Sequence, residues 1–245
     1  MVQELLLLLP KEVGTLALVL AMVGTLLGAG LWLIGSRYSR SLITLLLVSV
    51  GGWIGLFLPH WFGWNIQGWA TAILSALVLG ASGFVIHRFW VGVGLGFVLA
   101  GWAALAVWIV CKGVGVWTLP KFEPGMATLE YAKYFWQSLP VDVQKLLPFA
   151  AGTALLSGLA TALLWPRIGS VLLYSMAGVS MWVGLGLCAM NMARPQWIGA
   201  LPAKGSSQLF AVSAMVGFGV LLQWQLGPKK AVQSSKPRMP LIVHD

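Results

Sequence analysis

The stretch 42–62 has the sequence LITLLLVSVGGWIGLFLPHWF and contains no Asp, Glu, Lys or Arg. A helix needs about 20 apolar residues to cross ~30 Å of hydrocarbon, so this stretch predicts a transmembrane helix. Further apolar stretches of comparable length lie on both sides of it. The seven predicted spans are 13–34, 42–62, 69–86, 89–111, 147–164, 168–190 and 209–224. The predicted fold class is therefore all-α, a polytopic transmembrane helical bundle of about seven spans.

Composition agrees with lipid as the solvent. Hydrophobic residues make up 59% of the 245 residues and charged residues only 9%, whereas soluble domains carry about 25% charged residues. A soluble fold of this length could not cover so much apolar surface with polar groups. The net charge of +9 could indicate nucleic-acid binding. Its basic residues are instead spread over the connections, which is typical of the positive-inside bias and argues against a nucleic-acid surface.

The connections predict which side of the membrane each end occupies. Four arginines, which we interpret as setting the inner turns, occur in the first, third and fifth connections: Arg37, Arg40, Arg88 and Arg167. Together with the C-terminal tail, this side carries eight basic residues and one acidic residue, against seven basic and five acidic on the other. The positive-inside rule then places the N-terminus outside and the C-terminus in the cytoplasm, most simply of a bacterial cytoplasmic (inner) membrane.

The chain divides into five predicted segments. They are an interfacial N-terminal segment 1–12, a four-span half 13–111, an outer loop 112–146, a three-span half 147–226 and a basic cytoplasmic tail 227–245. Within the outer loop, Leu129, Ala132, Phe135 and Leu139 recur at helical spacing. This pattern predicts an amphipathic helix, which either lies on the outer membrane surface or caps the bundle. The tail is expected to contact anionic lipids.

Glycines recur inside the predicted spans. Small residues four apart let two helix backbones approach closely in lipid. The glycines predicted to pack helices are Gly24, Gly28, Gly51, Gly55, Gly92, Gly96, Gly101 and Gly178. A weak internal repeat accompanies them, because Gly51 and Gly178 each follow an inner-turn arginine by eleven residues. The repeat predicts tandem helical hairpins.

The predicted spans lack the groups that membrane chemistry uses. Ionisable residues inside a membrane mark ion sites and proton relays, yet no acidic residue lies within a predicted span. The topology separates His60 from His87 by the full membrane, so the two cannot share a metal. Cys111 and Cys188 show no metal-ligand spacing, and whether they pair is left open. We predict no catalytic, cofactor-binding or metal-binding residue, no bound cofactor and no enzymatic activity.

Polar and aromatic residues near the interfaces allow more than one interpretation. The aromatic group around the second outer connection, namely Trp53, Phe57, Trp61, Phe62, Trp64 and Trp69, is a membrane-interface belt or a docking collar for another subunit. Gln223 and Gln225 are interpreted as interfacial anchors. A polar path for a channel could be lined by Thr44, Ser49, Ser75, Thr161 and Ser180.

The first predicted hairpin carries a family resemblance. Residues 33–40, LIGSRYSR, are followed by Gly51-Gly52-Trp53-Ile54-Gly55. This pattern resembles the small seven-span membrane family that includes the eukaryotic Wnt-signalling scaffold transmembrane protein and its bacterial relatives of unknown function. Ser36 stands where that family has an aromatic residue, and Arg40 where it has a lysine. The resemblance covers about the first 110 residues, implies an organising role and transfers no binding residue.

These observations lead to two functional expectations. The first is a non-enzymatic integral membrane scaffold or accessory subunit, whose partners are other membrane subunits or further copies of the chain. The second is a channel or uncoupled permease for a neutral or lipid-like solute. A cavity reaching the midplane would favour the second expectation.

Overall fold

The computed structural model describes residues 15–113, 128–193, 196 and 205–226. These residues are almost entirely helical, and no strand occurs among them. The predicted all-α class is therefore confirmed. The elements are α1 (Thr15–Ile34), a 3-10 segment (Gly35–Tyr38), α2 (Ser39–Phe62), α3 (Gly68–Val85), α4 (His87–Gly113), α5 (Thr128–Ser138), α6 (Val141–Leu164), α7 (Pro166–Ala193) and α8 (Gly205–Leu226).

Six helical segments in this part of the chain are long and apolar enough to cross a membrane. The first, Thr15–Phe62, has 48 residues and includes α1, the 3-10 segment and α2. The others lie in α3, α4, α6, α7 and α8. Large apolar side chains on these helices are exposed, as expected where the solvent is lipid. The chain is a multi-pass helical membrane protein.

Five helices are longer than the predicted spans, and α6 and α8 differ from them most. Helix α6 begins at Val141 instead of 147 and so includes the charged residues Asp142 and Lys145. Both charged side chains are exposed at the end of the helix, so they extend it beyond the apolar section without being buried. Helix α8 likewise extends over 22 residues, Gly205–Leu226, instead of 209–224.

One close contact between helices joins α2 to α3. A methyl group built at Gly51 would lie 2.6 Å from the Ser75 carbonyl oxygen, and one at Gly55 would lie 2.5 Å from that of Thr71. The Thr71 hydroxyl donates to the Gly55 carbonyl at 2.7 Å across the same seam. Only glycine allows two backbones this close.

Glycines also line two pairs that are distant in sequence. Between α1 and α7, a methyl group at Gly28 would meet the Trp182 backbone nitrogen at 2.6 Å, and one at Gly178 the Trp32 backbone nitrogen at 2.5 Å. Gly24 faces the Leu185 side chain in the same seam. The close pairs are thus α2–α3, α4–α6 and α1–α7, and they differ from the hairpins that the internal repeat suggested.

Two of the predicted packing glycines lie between α4 and α6, and the prediction for a third glycine of α4 was wrong. A methyl group at Gly92 would lie 2.9 Å from the Leu159 side chain. One at Gly96 would lie 2.9 Å from the Leu155 backbone. Gly101, on the same helix, is exposed, and a methyl group there would meet open space. The prediction that Gly101 packs helices was wrong because its face of α4 points away from α6.

Neighbouring contacts fix the directions of the helices. Helix α1 runs antiparallel to α7, because Gly24 faces Leu185 and Gly28 faces Trp182. Helix α4 runs parallel to α7, since Gly94 contacts Leu173 and Trp102 donates to the Ser180 hydroxyl. Helix α2 starts beside the start of α4, and both helices contribute to one buried cluster further along, so α2 and α4 run parallel. Since α4 is parallel to α7 and α7 is antiparallel to α1, α2 runs opposite to α1. The 3-10 segment Gly35–Tyr38 therefore reverses the chain.

Helix α5 lies at the end where α6 begins, joined to it by the Gln144 amide, which donates to the Trp136 and Leu139 carbonyls at 2.9 Å. It makes little contact with the other described helices and exposes Tyr134 and Trp136. This arrangement favours a helix on the membrane surface over a cap on the bundle.

Several predictions fall outside the described residues. They concern the N-terminal segment 1–12, most of the outer loop before α5 and the basic tail 227–245. The Cys111 side chain also lies outside them, and Cys188 is present as a free thiol.

Candidate functional site

The four inner-turn arginines lie at one end of the bundle, called here the basic end. Arg37 belongs to the 3-10 segment, while Arg40, Arg88 and Arg167 stand in the first turns of α2, α4 and α7. The last turns of the intervening helices reach the same end, because Gly83 of α3 contacts Thr44 and Trp224 of α8 contacts Arg167. All four arginine side chains are exposed.

Aromatic rings rather than carboxylates accompany these guanidinium groups. Arg40 lies 4.8 Å from the centroid of the Phe84 ring, and Arg167 lies 4.4 Å from that of Trp224. Arg167 also donates to the Trp224 carbonyl at 3.2 Å. The only acidic residues in the described ranges are Glu130 and Asp142, at the far end of the bundle. The basic end therefore carries positive charge that no described carboxylate neutralises.

One hydrogen-bonded group ties three helices together at the basic end. Ser39 and His87 are the first residues of α2 and α4, and the Ser39 hydroxyl lies 2.8 Å from His87 Nε2. Tyr174, which is buried in α7, donates its hydroxyl to the Ser39 carbonyl at 3.0 Å. Sequence reasoning did not find this group, since its members come from separate helices without a shared motif.

Gln223 has a structural role that differs from its predicted one. Its amide nitrogen donates to the carbonyls of Leu31 and Trp32, at 3.1 and 2.7 Å, and its oxygen accepts from the Ser36 N–H at 3.1 Å. It is only 1% exposed. The interpretation of Gln223 as an interfacial anchor was wrong, because its amide satisfies backbone groups at the end of α1 that have no partner within that helix. Gln225 is exposed.

The aromatic collar, defined as Trp53, Phe57, Trp61, Phe62, Trp64 and Trp69, lies at the far end of the α2–α3 hairpin. All six side chains are exposed, with Trp53 at 63% and Trp61 and Trp69 at 61%. Several of their rings pack on one another, with centroids 5.2 Å apart for Trp53 and Phe57 and 6.1 Å apart for Phe57 and Trp61. The ring contacts thus form two groups within the collar, Trp53–Phe57–Trp61 and Phe62–Trp64.

The α2–α3 hairpin joins the rest of the bundle through its basic-end half. Its contacts there include the Ser39–His87 pair, the Trp90 indole bonded to the Ser82 hydroxyl, and Ile43 and Leu47 in the buried core. Beyond Gly51, the two helices pack on each other while their outer faces stay exposed. Gly63 ends α2 in a left-handed conformation at φ 64°, which glycine adopts without strain.

The polar residues proposed for a channel do not come together as a path. Ser49, Thr161 and Ser180 each donate to a carbonyl one turn earlier in their own helix. Thr44 and Ser75 belong to α2 and α3. The Thr44 hydroxyl is buried without a hydrogen-bond partner.

A groove of about 470 Å³ opens between α1, α7 and α8, away from the basic end. None of the five proposed channel residues lines it. Its lining is apolar and includes Met22, Trp182, Met190 and Met215. The one hydroxyl in the lining, Thr25, already donates to the Ala21 carbonyl at 2.7 Å. The groove therefore suits hydrocarbon rather than a polar solute.

No group of three or more His, Cys, Asp or Glu side chains that could hold a metal occurs among the described residues. The structure places His60 near the far end of α2, exposed, and His87 at the basic end. No family model, no curated protein and no solved structure matches this chain.

Proposed function

We propose that this protein is a seven-span, non-enzymatic scaffold or accessory subunit of a larger complex in the bacterial cytoplasmic membrane. The N-terminus lies outside and the C-terminus in the cytoplasm. The observation that carries the proposal is the aromatic collar on a hairpin that is attached to the bundle at only one end. The resemblance of the first hairpin to a family with an organising role agrees with it.

The count of seven rests on the segment Thr15–Phe62. A continuous helix of 48 residues would be about 72 Å long, more than twice the ~30 Å of hydrocarbon. The reversal at Gly35–Tyr38 divides it into α1 and α2, which are long enough to cross separately. The unneutralised arginines at the basic end support a cytoplasmic assignment of that end.

The α2–α3 hairpin suits docking for a physical reason. Its Gly51–Gly55 seam makes it a rigid unit by itself, so its outer faces remain free to contact a helix of another subunit. Interfacial Trp residues form belts at the headgroup level. In the collar, the rings of Trp53, Phe57 and Trp61 also pack on one another, and aromatic residues are prominent among those that dominate the energetics of protein interfaces.

Substitution of collar residues tests this proposal. We expect Trp53→Leu, Trp61→Leu and Trp69→Leu, combined in one variant, to abolish co-purification of the partner in mild detergent at native expression. Leucine keeps these positions compatible with lipid, so the bundle itself should retain its thermal stability. The measurement is the mass of the complex by size-exclusion chromatography with light scattering.

Trp165→Leu provides a control, since Trp165 is exposed between α6 and α7 at the basic end. It should leave the complex unchanged. A wild-type protein that purifies as a monodisperse monomer without any partner would contradict the scaffold proposal.

The alternative is a channel or uncoupled permease, and the apolar groove between α1, α7 and α8 restricts it to a lipid-like solute. A transport assay in vesicles separates the two proposals. Protein-dependent lipid scrambling that the collar variant leaves intact would favour the alternative.

A further inference from the structure

The first turns of α2 and α4 form a compact basic group. Ser39 and His87 hold the two helix starts together through the 2.8 Å contact between Oγ and Nε2. Arg40 follows Ser39 in α2, and Arg88 follows His87 in α4. Both arginines are close enough to act electrostatically on the His87 ring. Two guanidinium groups thus lie near the Ser39–His87 pair.

This group lacks a counter-charge among the described residues. The ring of Phe84 holds the Arg40 guanidinium at 4.8 Å without neutralising it. Arg88 is exposed, and the described acidic residues Glu130 and Asp142 lie at the far end of the bundle. An anion at this position would therefore gain charge-assisted hydrogen bonds without displacing an internal partner.

The backbone under the group is fixed. Tyr174 donates to the Ser39 carbonyl at 3.0 Å, and both residues are buried. The positive ends of the α2 and α4 dipoles point toward this region, and the negative end of α3, which ends at Val85, offsets one of them. The guanidinium groups thus extend from a scaffold that needs little rearrangement on binding.

Exposed apolar side chains adjoin the basic group. Phe84 and Val85, in the last turn of α3, and Phe89, next to Arg88, are all exposed. The surface therefore pairs a cationic patch with an apolar strip at the ends of membrane-crossing helices. A phospholipid has this chemistry, with its phosphate at the headgroup level and its acyl chain alongside the helix. A free phosphate ion would use only the basic part.

We propose that Arg40 and Arg88, next to the Ser39–His87 pair, form a binding site for the headgroup phosphate of an anionic phospholipid, with an acyl chain lying along Phe84, Val85 and Phe89. The site goes beyond the scaffold role and requires only that the basic end lies at a membrane surface. The lipid occupies the leaflet on that side, and its phosphate interacts with the two guanidinium groups.

Native mass spectrometry of the full-length protein in a neutral detergent tests the proposal. The protein is titrated separately with phosphatidylglycerol, phosphatidylcholine and inorganic phosphate. We expect selective retention of phosphatidylglycerol. The Arg40→Gln/Arg88→Gln variant should bind it roughly thirtyfold more weakly, since each basic residue at a membrane surface contributes on the order of fivefold.

The control variant Lys133→Gln/Lys145→Gln removes the same charge from exposed residues at the far end. It should retain phosphatidylglycerol as wild type does, and equal thermal midpoints for all three proteins show that each is folded. Equal retention of the two lipids, or equal loss in both variants, would overturn the site. If inorganic phosphate binds as tightly as phosphatidylglycerol, the occupant of the site is not specifically a phospholipid. A failed scaffold test would leave these results unchanged, because the collar lies at the opposite end of the hairpin.

Discussion

The double substitution Gly51→Leu/Gly55→Leu should strongly destabilise the protein or prevent its folding. Even a methyl group at these positions would lie 2.6 Å from the Ser75 carbonyl oxygen and 2.5 Å from that of Thr71. Those contacts are with backbone atoms, which cannot turn aside as a flexible side chain can. The α2–α3 pair must therefore separate, and overpacking of this kind costs about 1–3 kcal/mol per position.

The hydrogen bond between the Thr71 hydroxyl and the Gly55 carbonyl would be lost as the helices separate. In lipid no hydrophobic force draws helices together again, since the tails are as apolar as the side chains. The measurement is the thermal unfolding midpoint in detergent, followed by tryptophan fluorescence. A large decrease, or no folded protein at all, is expected.

Gly101→Leu is the matched control for this experiment. It introduces the same side chain within a membrane-crossing helix, at a glycine whose missing Cβ faces open space. Its unfolding midpoint should remain close to that of wild type. If the double variant unfolds at the same temperature as the control, the Gly51–Gly55 seam does not hold the hairpin together.

Replacement of Gln223 should produce the second-largest effect. Gln223→Met keeps the approximate volume of the side chain but removes its amide, leaving the Leu31 and Trp32 carbonyls and the Ser36 N–H without that partner. An unsatisfied buried polar group costs about 1–3 kcal/mol. Since some of these groups can find other partners, we expect the free energy of unfolding to fall by about 2–5 kcal/mol.

Gln225→Met is the control, because Gln225 is the same residue type on the same helix but is exposed. The free energy of unfolding can be measured by reversible denaturation from mixed micelles. A loss below about 0.5 kcal/mol in Gln223→Met, the usual range for a surface substitution, would show that the amide does not stabilise the end of α1.

The sequence was sufficient to predict the helical class and the residues at the basic end. Long apolar stretches define spans because every backbone group in lipid must be bonded within its helix. The positions of Arg37, Arg40, Arg88 and Arg167 in short connections then predicted helix ends that the structure brings together. Both signals are local in the chain, so they can be seen in one sequence.

The pairing of helices could not be predicted in the same way. Glycine content identified Gly28 and Gly178 as packing residues, but it did not indicate that they face each other across α1 and α7. Gly101 has the same sequence character and faces open space. Which face of a helix packs against another helix depends on the arrangement of the whole bundle, and a glycine in the sequence does not indicate which helix that is.

The hydrogen bonds of Gln223 to the end of α1 and the Ser39–His87–Tyr174 group were missed for a related reason. Each is built from residues more than 45 positions apart, with no spacing that defines a motif. A glutamine in an apolar helix could have been recognised as a residue needing partners. Its partners, however, are backbone atoms of a distant helix, which no side-chain pattern in the sequence identifies.

Cysteine labelling with a membrane-impermeant maleimide tests most directly whether the chain alternates across the membrane up to the start of α7. In a Cys111→Ser/Cys188→Ser background, single cysteines replace Lys11, Tyr38, Asn65, Asp142 or Trp165. Intact cells should be labelled at Lys11, Asn65 and Asp142, whereas Tyr38 and Trp165 should react only after lysis. Equal labelling of Tyr38 and Asn65 in intact cells, or the reverse pattern, would contradict a bundle that alternates across the membrane with its basic end in the cytoplasm.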